Sequence, residues 1–114
     1  NKYKVSEIVK ELNLEILSGE KGLDSEVTGG YVCDLLSDVM GNSKEGQIWI
    51  TLQTHKNVMA IASLHDLAAV ILINGLKPDA DTAAQSNLEN IPMLGTKAPA
   101  FEIAGKLYEL LNKE

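Results

Sequence analysis

The feature that most constrains this chain is an uninterrupted apolar run, Leu67-Ala68-Ala69-Val70-Ile71-Leu72-Ile73. It is far shorter than the roughly 20 residues that cross a bilayer and has the length of a strand. A strand apolar at every position has no face to offer water, so both of its faces must be covered. Ala68–Ile73 is therefore expected as an inner strand between two layers of helices. It is closed by Asn74-Gly75 and a loop that Pro78 continues.

The rest of the pattern fits that frame. Val5, Ile8, Val9 and Leu12 recur at helical spacing and Asn13 ends the helix. Leu14–Leu17 alternates as a strand does, and Gly19 and Gly22 make a polar turn. Val27–Cys33 is extended, and its Gly29-Gly30 pair marks a bulge or a close approach by another group. Leu35, Leu36, Val39 and Met40 give one or two helical turns stopped at Gly41-Asn42, before the short strand Ile48-Trp49-Ile50. Thr54 is placed to cap the next helix, with Val58, Ile61 and Ala62 facing inward. Asp81 or Thr82 would cap a helix through Leu88, with Gln85 completing a capping box, and Ile91–Leu94 forms a further strand. Phe101, Ala104, Leu107, Tyr108 and Leu111 form one face of a closing helix that tolerates Pro99 in its first turn. Strands alternating with helices predict an α/β fold: one small domain over residues 1–114, a largely parallel sheet, and helices on both faces.

Composition narrows the function. Sixteen acidic residues against ten basic ones leave a net charge of -6, and the lysines are scattered. Such a surface repels nucleic acid and anionic lipid, so neither is expected as a partner. Cys33 is the only cysteine, which excludes an internal disulfide and a Cys-rich zinc site and suits a reducing, cytoplasmic compartment. No basic segment leads into an apolar signal core, and the first residue, Asn1, leaves room for a native start upstream.

The polar residues gather after the expected strands. Asp34, Ser37 and Asp38 follow the glycine-pair strand; Thr51, Gln53, Thr54, His55, Lys56 and Asn57 follow the Ile48 strand; Asn74 and Gly75 follow the apolar run; Gly95 and Thr96 follow the last strand. In open parallel sheets these segments share one edge, where ligands bind. A helix starting near Thr54 would aim unpaired N–H groups and its positive dipole end at an anion, with Lys56 adding charge. The structural alternative is that Thr54 only caps and its neighbours are solvated. His55 could exchange protons near neutral pH, or simply hydrogen-bond at the surface. Asp34 and Asp38, four apart, could share a helical face and hold magnesium, or be solvated. Cys33 reads as a small buried hydrophobe, and Trp49 as core. The phosphate-binding loop pattern G-x-x-x-x-G-K-[ST] is absent, as are G-x-G-x-x-G, H-E-x-x-H and G-x-S-x-G.

Val27-Thr28-Gly29-Gly30, the following Tyr31–Met40, Trp49–Asn57 and Asn74–Pro78 together resemble the DRTGG domain family over nearly the whole chain. The eponymous Asp-Arg-Thr-Gly-Gly is represented here by Ser25-Glu26-Val27-Thr28-Gly29-Gly30, so only Thr-Gly-Gly matches and no role of the Asp and Arg carries over. The resemblance implies a fold like the amino-terminal domain of HPr kinase/phosphorylase, without its kinase domain, and a regulatory or ligand-binding role. The resulting expectation is a non-catalytic, homodimeric module sensing a small anionic ligand such as a nucleotide, with no cofactor. Its ligand residues would be Gly29, Gly30, Asp34, Thr51, Gln53, Thr54, His55, Lys56, Asn57, Asn74 and Gly75. Two alternatives stay open: a subunit docking on a larger protein, and a small magnesium-dependent enzyme using His55 with Asp34 and Asp38.

Overall fold

The computed structural model describes residues 2–113. Along the chain run β1 (Tyr3–Lys4), α1 (Val5–Leu12), β2 (Glu15–Ser18), a 3-10 turn at Glu20–Gly22, β3 (Glu26–Val27), β4 (Gly29–Val32) and α2 (Leu36–Asn42). There follow β5 (Gln47–Thr51), α3 (Asn57–Leu64), β6 (Ala69–Leu72), α4 (Ala80–Glu89), β7 (Met93–Gly95) and α5 (Ala100–Leu111). Five strands form the main sheet in the order β2-β7-β6-β5-β4, while β1 and β3 pair separately. β4, β5, β6 and β7 are parallel and β2 runs antiparallel to β7.

The apolar run fixes the centre as expected. β6 lies between β5 and β7, and every residue from Leu67 to Ile73 is buried. Alternation with a period of two sends side chains to opposite faces. Ile48, Ile50, Ala69, Ile71 and Leu94 face one way, packing with Val5 and Ile8 of α1 and Ile103, Leu107 and Leu110 of α5. Trp49, Val70, Leu72 and Met93 face the other way, packing with Val39 of α2 and Val58, Met59, Ile61 and Ala62 of α3. Burying each large aliphatic side chain contributes roughly 1.5–3 kcal/mol. The successive connections β4-α2-β5-α3-β6-α4-β7 step one way along the sheet. Crossovers of one hand stepping in one direction leave their helices on one face, and the two ends of the chain, through α1 and α5, close the other.

Several local expectations are corrected. The Val27–Cys33 segment is two strands, broken at Thr28, and its halves join different sheets. The glycine pair makes no bulge, for Gly29, Gly30, Tyr31 and Val32 pair in continuous register with Gln47, Ile48, Trp49 and Ile50. The close approach is real at Gly30, where an added Cβ would sit 3.0 Å from Leu107 Cδ2 of α5. Thr54 does not cap α3, which begins at Asn57 with Lys56 at the cap position. Asp79, not Asp81 or Thr82, occupies the cap position of α4, and Gln85 donates to Glu89 at 3.0 Å rather than closing a capping box. On α5 the buried face is Ile103, Leu107 and Leu110, leaving Phe101 and Tyr108 exposed.

Candidate ligand site at the carboxyl edge of the sheet

Because β4 to β7 are parallel, the four loops leaving their carboxyl ends line one edge of the sheet. The predicted site residues of the post-strand loops are therefore neighbours in space, but hydrogen bonds divide them into three knots, each joining two adjacent loops.

The first knot ties the loop after β4 to the one after β5. Asp34 Oδ1 accepts from Thr51 Oγ1 and from the Leu52 N–H, both at 2.7 Å, and Gln53 Nε2 donates to the Asp34 carbonyl at 2.8 Å. The Gln53 N–H donates back to Thr51 Oγ1 at 3.2 Å. Thr51 is buried, so its hydroxyl needs this partner. In the second knot, the Thr54 carbonyl accepts from the Asp79 N–H at 3.1 Å and from Thr82 Oγ1 at 2.9 Å. These bonds commit the Thr54 carbonyl to the start of α4, so α3 starts only at Asn57, with Lys56 at its cap position already in right-handed helical geometry. His55 Nδ1 lies 3.6 Å from Asp79 Oδ2, with both side chains half exposed or more.

The third knot carries Asn74 and Gly75. Both have positive φ, 56° and 74°, and the Leu76 N–H donates to the Ile73 carbonyl at 3.1 Å. Positive φ at both central residues is the mark of a type I′ turn, which asparagine and glycine tolerate best. The Asn74 N–H then donates to Ala98 O and the Gly75 N–H to Thr96 O, at 3.1 and 2.8 Å, joining this turn to the loop after β7.

A cavity of about 510 Å³ opens beside the third knot, lined by Gly75, Leu76, Lys77, Gly95, Thr96, Lys97, Ala98, the start of α5 and the turn before β2. Three of the chain's ten basic residues, Lys77, Lys97 and Lys106, line it together with Glu15 and Glu102. Lys77 pairs with Glu15 at 2.7 Å and Lys106 with Glu102 at 3.1 Å. Lys97 has no hydrogen-bond or ion-pair partner among the described residues, and its Cγ lies 3.9 Å from the place a Cβ on Gly75 would take. The cavity is within the size range of small-ligand sites. A larger cavity, about 740 Å³, is lined by Glu26, Glu45, Asp66 and Glu89 and by no lysine, which disfavours an anion there.

The remaining candidates disperse. Lys56 and Asn57 border a cavity between α3 and α4. Gly29 and Gly30 border an apolar groove between β4 and α5. Asp34 and Asp38 do not share a helical face, since α2 begins at Leu36. Asp38 Oδ2 instead accepts a short hydrogen bond from the Tyr31 hydroxyl, and Asn42 Nδ2 donates to Asp38 Oδ1 at 3.1 Å. Tyr31's hydrogen bond holds the Asp38 carboxyl below the ordinary carboxylate range and, by the same bond, raises the Tyr31 phenol. Cys33 is half-buried rather than fully buried, and its sulfur takes the Leu35 N–H at 3.4 Å. Trp49 is fully buried and donates through Nε1 to the Cys33 carbonyl at 2.8 Å.

Sequence reasoning missed the lysines around the cavity. Lys77 and Lys97 each follow a glycine-bearing turn after a strand, which was a usable signal. Lys106 and Glu15 reach the same place only through the tertiary fold.

No protein-family model matches the chain, and no curated protein does. Among solved structures it is similar to the CBS and DRTGG domains of the regulatory region of a Clostridium perfringens pyrophosphatase, complexed with its activator diadenosine tetraphosphate. The TM-score is 0.69 at 17% identity, over 91% of this chain and 47% of that one. The chain thus spans about half the length of that regulatory region, and at this identity the likeness speaks to fold. In fold the chain is a DRTGG-like α/β domain. No helix among the described residues is long and apolar enough to cross a membrane.

Proposed function

We propose that the chain is a non-catalytic, cytoplasmic regulatory module that binds a small anionic ligand, a nucleotide being the leading class. The observation that carries this reading is the lysine-lined cavity beside Asn74-Gly75, where Lys97 stands unpartnered in a chain of net charge -6. An unpaired cation at the rim of a concave surface attracts an anion more strongly than one on open surface does, because the neighbouring walls exclude part of the screening water. The fold agrees with this reading, since the similar pyrophosphatase region is regulatory and its structure holds a nucleotide activator. Of the eleven expected ligand residues, Asn74 and Gly75 shape the turn beside this cavity, while Asp34, Thr51 and Gln53 spend polar groups on joining loops.

The arrangement of titratable groups supports a non-catalytic role. His55 faces Asp79, Asp34 holds the Thr51 hydroxyl, and Asp38 holds the Tyr31 phenol, so the three groups of the magnesium-enzyme reading have separate partners.

Thermal unfolding against a series of mono- and dinucleotides and inorganic phosphate tests the reading. A ligand binding only the folded state adds about 2.7 kcal/mol at a hundredfold excess over its dissociation constant. For a domain of this size that raises the midpoint by about 10 °C. A saturable rise with a nucleotide, lost in Lys97→Glu, is the expected result. A flat response across the series would overturn it.

A further inference from the structure

The cavity beside Asn74-Gly75 that carries the functional reading also holds two carboxylates in its wall, Glu15 and Glu102. Their backbones are fixed there. Glu15 sits in β2 opposite Gly95 of β7, and Glu102 lies in the first turn of α5, where the helix dipole favours a negative charge. Lys77, by contrast, lies outside any helix or strand and reaches Glu15 at 2.7 Å. Lys106 reaches back one turn of α5 to Glu102 at 3.1 Å. These four side chains are all more than half exposed, so each pair contributes little by itself and opens readily. The carboxylates remain in the wall when a pair opens. Three lysines against two glutamates leave a single excess positive charge, and Lys97, which has no partner among the described residues, bears it.

We infer that Glu15 and Glu102 set the charge of the ligand: the cavity takes a group with one negative charge, a phosphodiester in the nucleotide class, and discriminates against terminal phosphates and phosphate chains. This rests on the reading of the cavity as an anion site given above. A phosphodiester brings one charge, which Lys97 matches with both ion pairs intact. A terminal phosphate brings about -1.5 to -2 near neutral pH, and a triphosphate brings more. To neutralise the surplus, Lys77 or Lys106 must turn from its glutamate to the ligand. The abandoned carboxylate then faces the anion across the same cavity, where like charges repel and the wrong ligand is rejected. The backbone points the same way. Loops that cradle phosphate chains do so with successive free N–H groups. Here the N–H groups of Asn74, Gly75 and Leu76 are spent on the carbonyls of Ala98, Thr96 and Ile73. The cavity thus has one uncommitted side-chain cation and a turn whose donors are already engaged.

Calorimetric titration of the full chain tests this, with the cyclic monophosphate, the open monophosphate and the triphosphate of adenosine and of guanosine as probes. Magnesium is left out, since it would neutralise the phosphate chain, and ionic strength is kept low, where exposed charges are least screened. The expected result is tightest binding by a cyclic monophosphate, with the triphosphate of the same nucleoside weaker by about tenfold. Glu15→Gln and Glu102→Gln each keep the side chain's shape and remove one charge at an exposed position. In the double variant the triphosphate should gain about a hundredfold in affinity and the cyclic compound about threefold, which reverses their order. A triphosphate that binds the native chain as tightly as the cyclic compound overturns the inference. So does an equal gain for both compounds, or an order that the double variant leaves unchanged. Each of these outcomes leaves the anion-site reading standing, whereas no binding by any of the probes overturns that reading and the inference together.

Discussion

The loops after β4 and β5 and those after β6 and β7 leave the same sheet edge in the same direction, yet they use their polar residues differently. On the β4/β5 side, Asp34, Thr51 and Gln53 satisfy one another, and a carboxylate that could have met a ligand instead accepts a buried hydroxyl and a backbone N–H. On the β6/β7 side the loops are joined mainly through backbone, Asn74 to Ala98 and Gly75 to Thr96, so the Lys97 side chain is left unpaired at the cavity. A cluster of polar residues at a strand end is thus ambiguous in itself. What separates a brace from a site is whether the side chains or the backbone do the joining.

That contrast can be broken by substitution. The largest effect on stability should come from Asp34→Ala, which strips the partner from the buried Thr51 hydroxyl and removes charge-assisted bonds. A loss of about 2 kcal/mol in urea unfolding is expected, and a loss too small to measure would mean the knot is incidental. Next is Gly75→Ala, which places a Cβ at a positive φ of 74° and should cost about 1 kcal/mol while weakening ligand binding through the displaced turn. Lys97→Glu should move stability by less than about 0.5 kcal/mol, as exposed substitutions do, yet abolish the ligand-induced shift. If Asp34→Ala removed binding and Lys97→Glu did not, the two sides would have to exchange roles.

The smallest effect is in pH dependence. Asp38, with its folded pKa depressed, contributes stability that is present above the unfolded value of about 3.9 and lost as pH falls through the folded one. Tyr31, with its folded pKa raised, contributes stability that is complete below about 10 and lost as pH rises through the folded value. Tyr31→Phe should flatten both limbs of the stability–pH curve without touching ligand binding. Unaltered limbs would show that the pair is dispensable.

The central layer was legible because Leu67–Ile73 admits few placements, and Val5, Ile8 and Leu12 admit one helical face. The closing helix was read only in part for a physical reason: of Phe101, Ala104, Leu107, Tyr108 and Leu111, Leu107 is buried and Ala104 and Leu111 pack against the core, while Phe101 and Tyr108 stay exposed because the stripe Ile103-Leu107-Leu110 is the one the sheet covers. The cap at Thr54 failed because a tertiary bond from Thr82 competes for its carbonyl, which no local pattern records. The carboxyl edge itself was foreseeable from the strand order. The grouping of Lys77, Lys97 and Lys106 was not, since residues from two loops and a helix meet only after the sheet has formed.

Amide chemical-shift mapping by nuclear magnetic resonance, on titration with a nucleotide that raises the unfolding midpoint, tests the central claim most directly. The expected result is that the amides of Gly75, Lys77 and Thr96 to Ala98 shift in a saturable way while those of Leu52 to Asn57 stay put. Shifts concentrated at Leu52 to Asn57, with the β6/β7 loops silent, would contradict it.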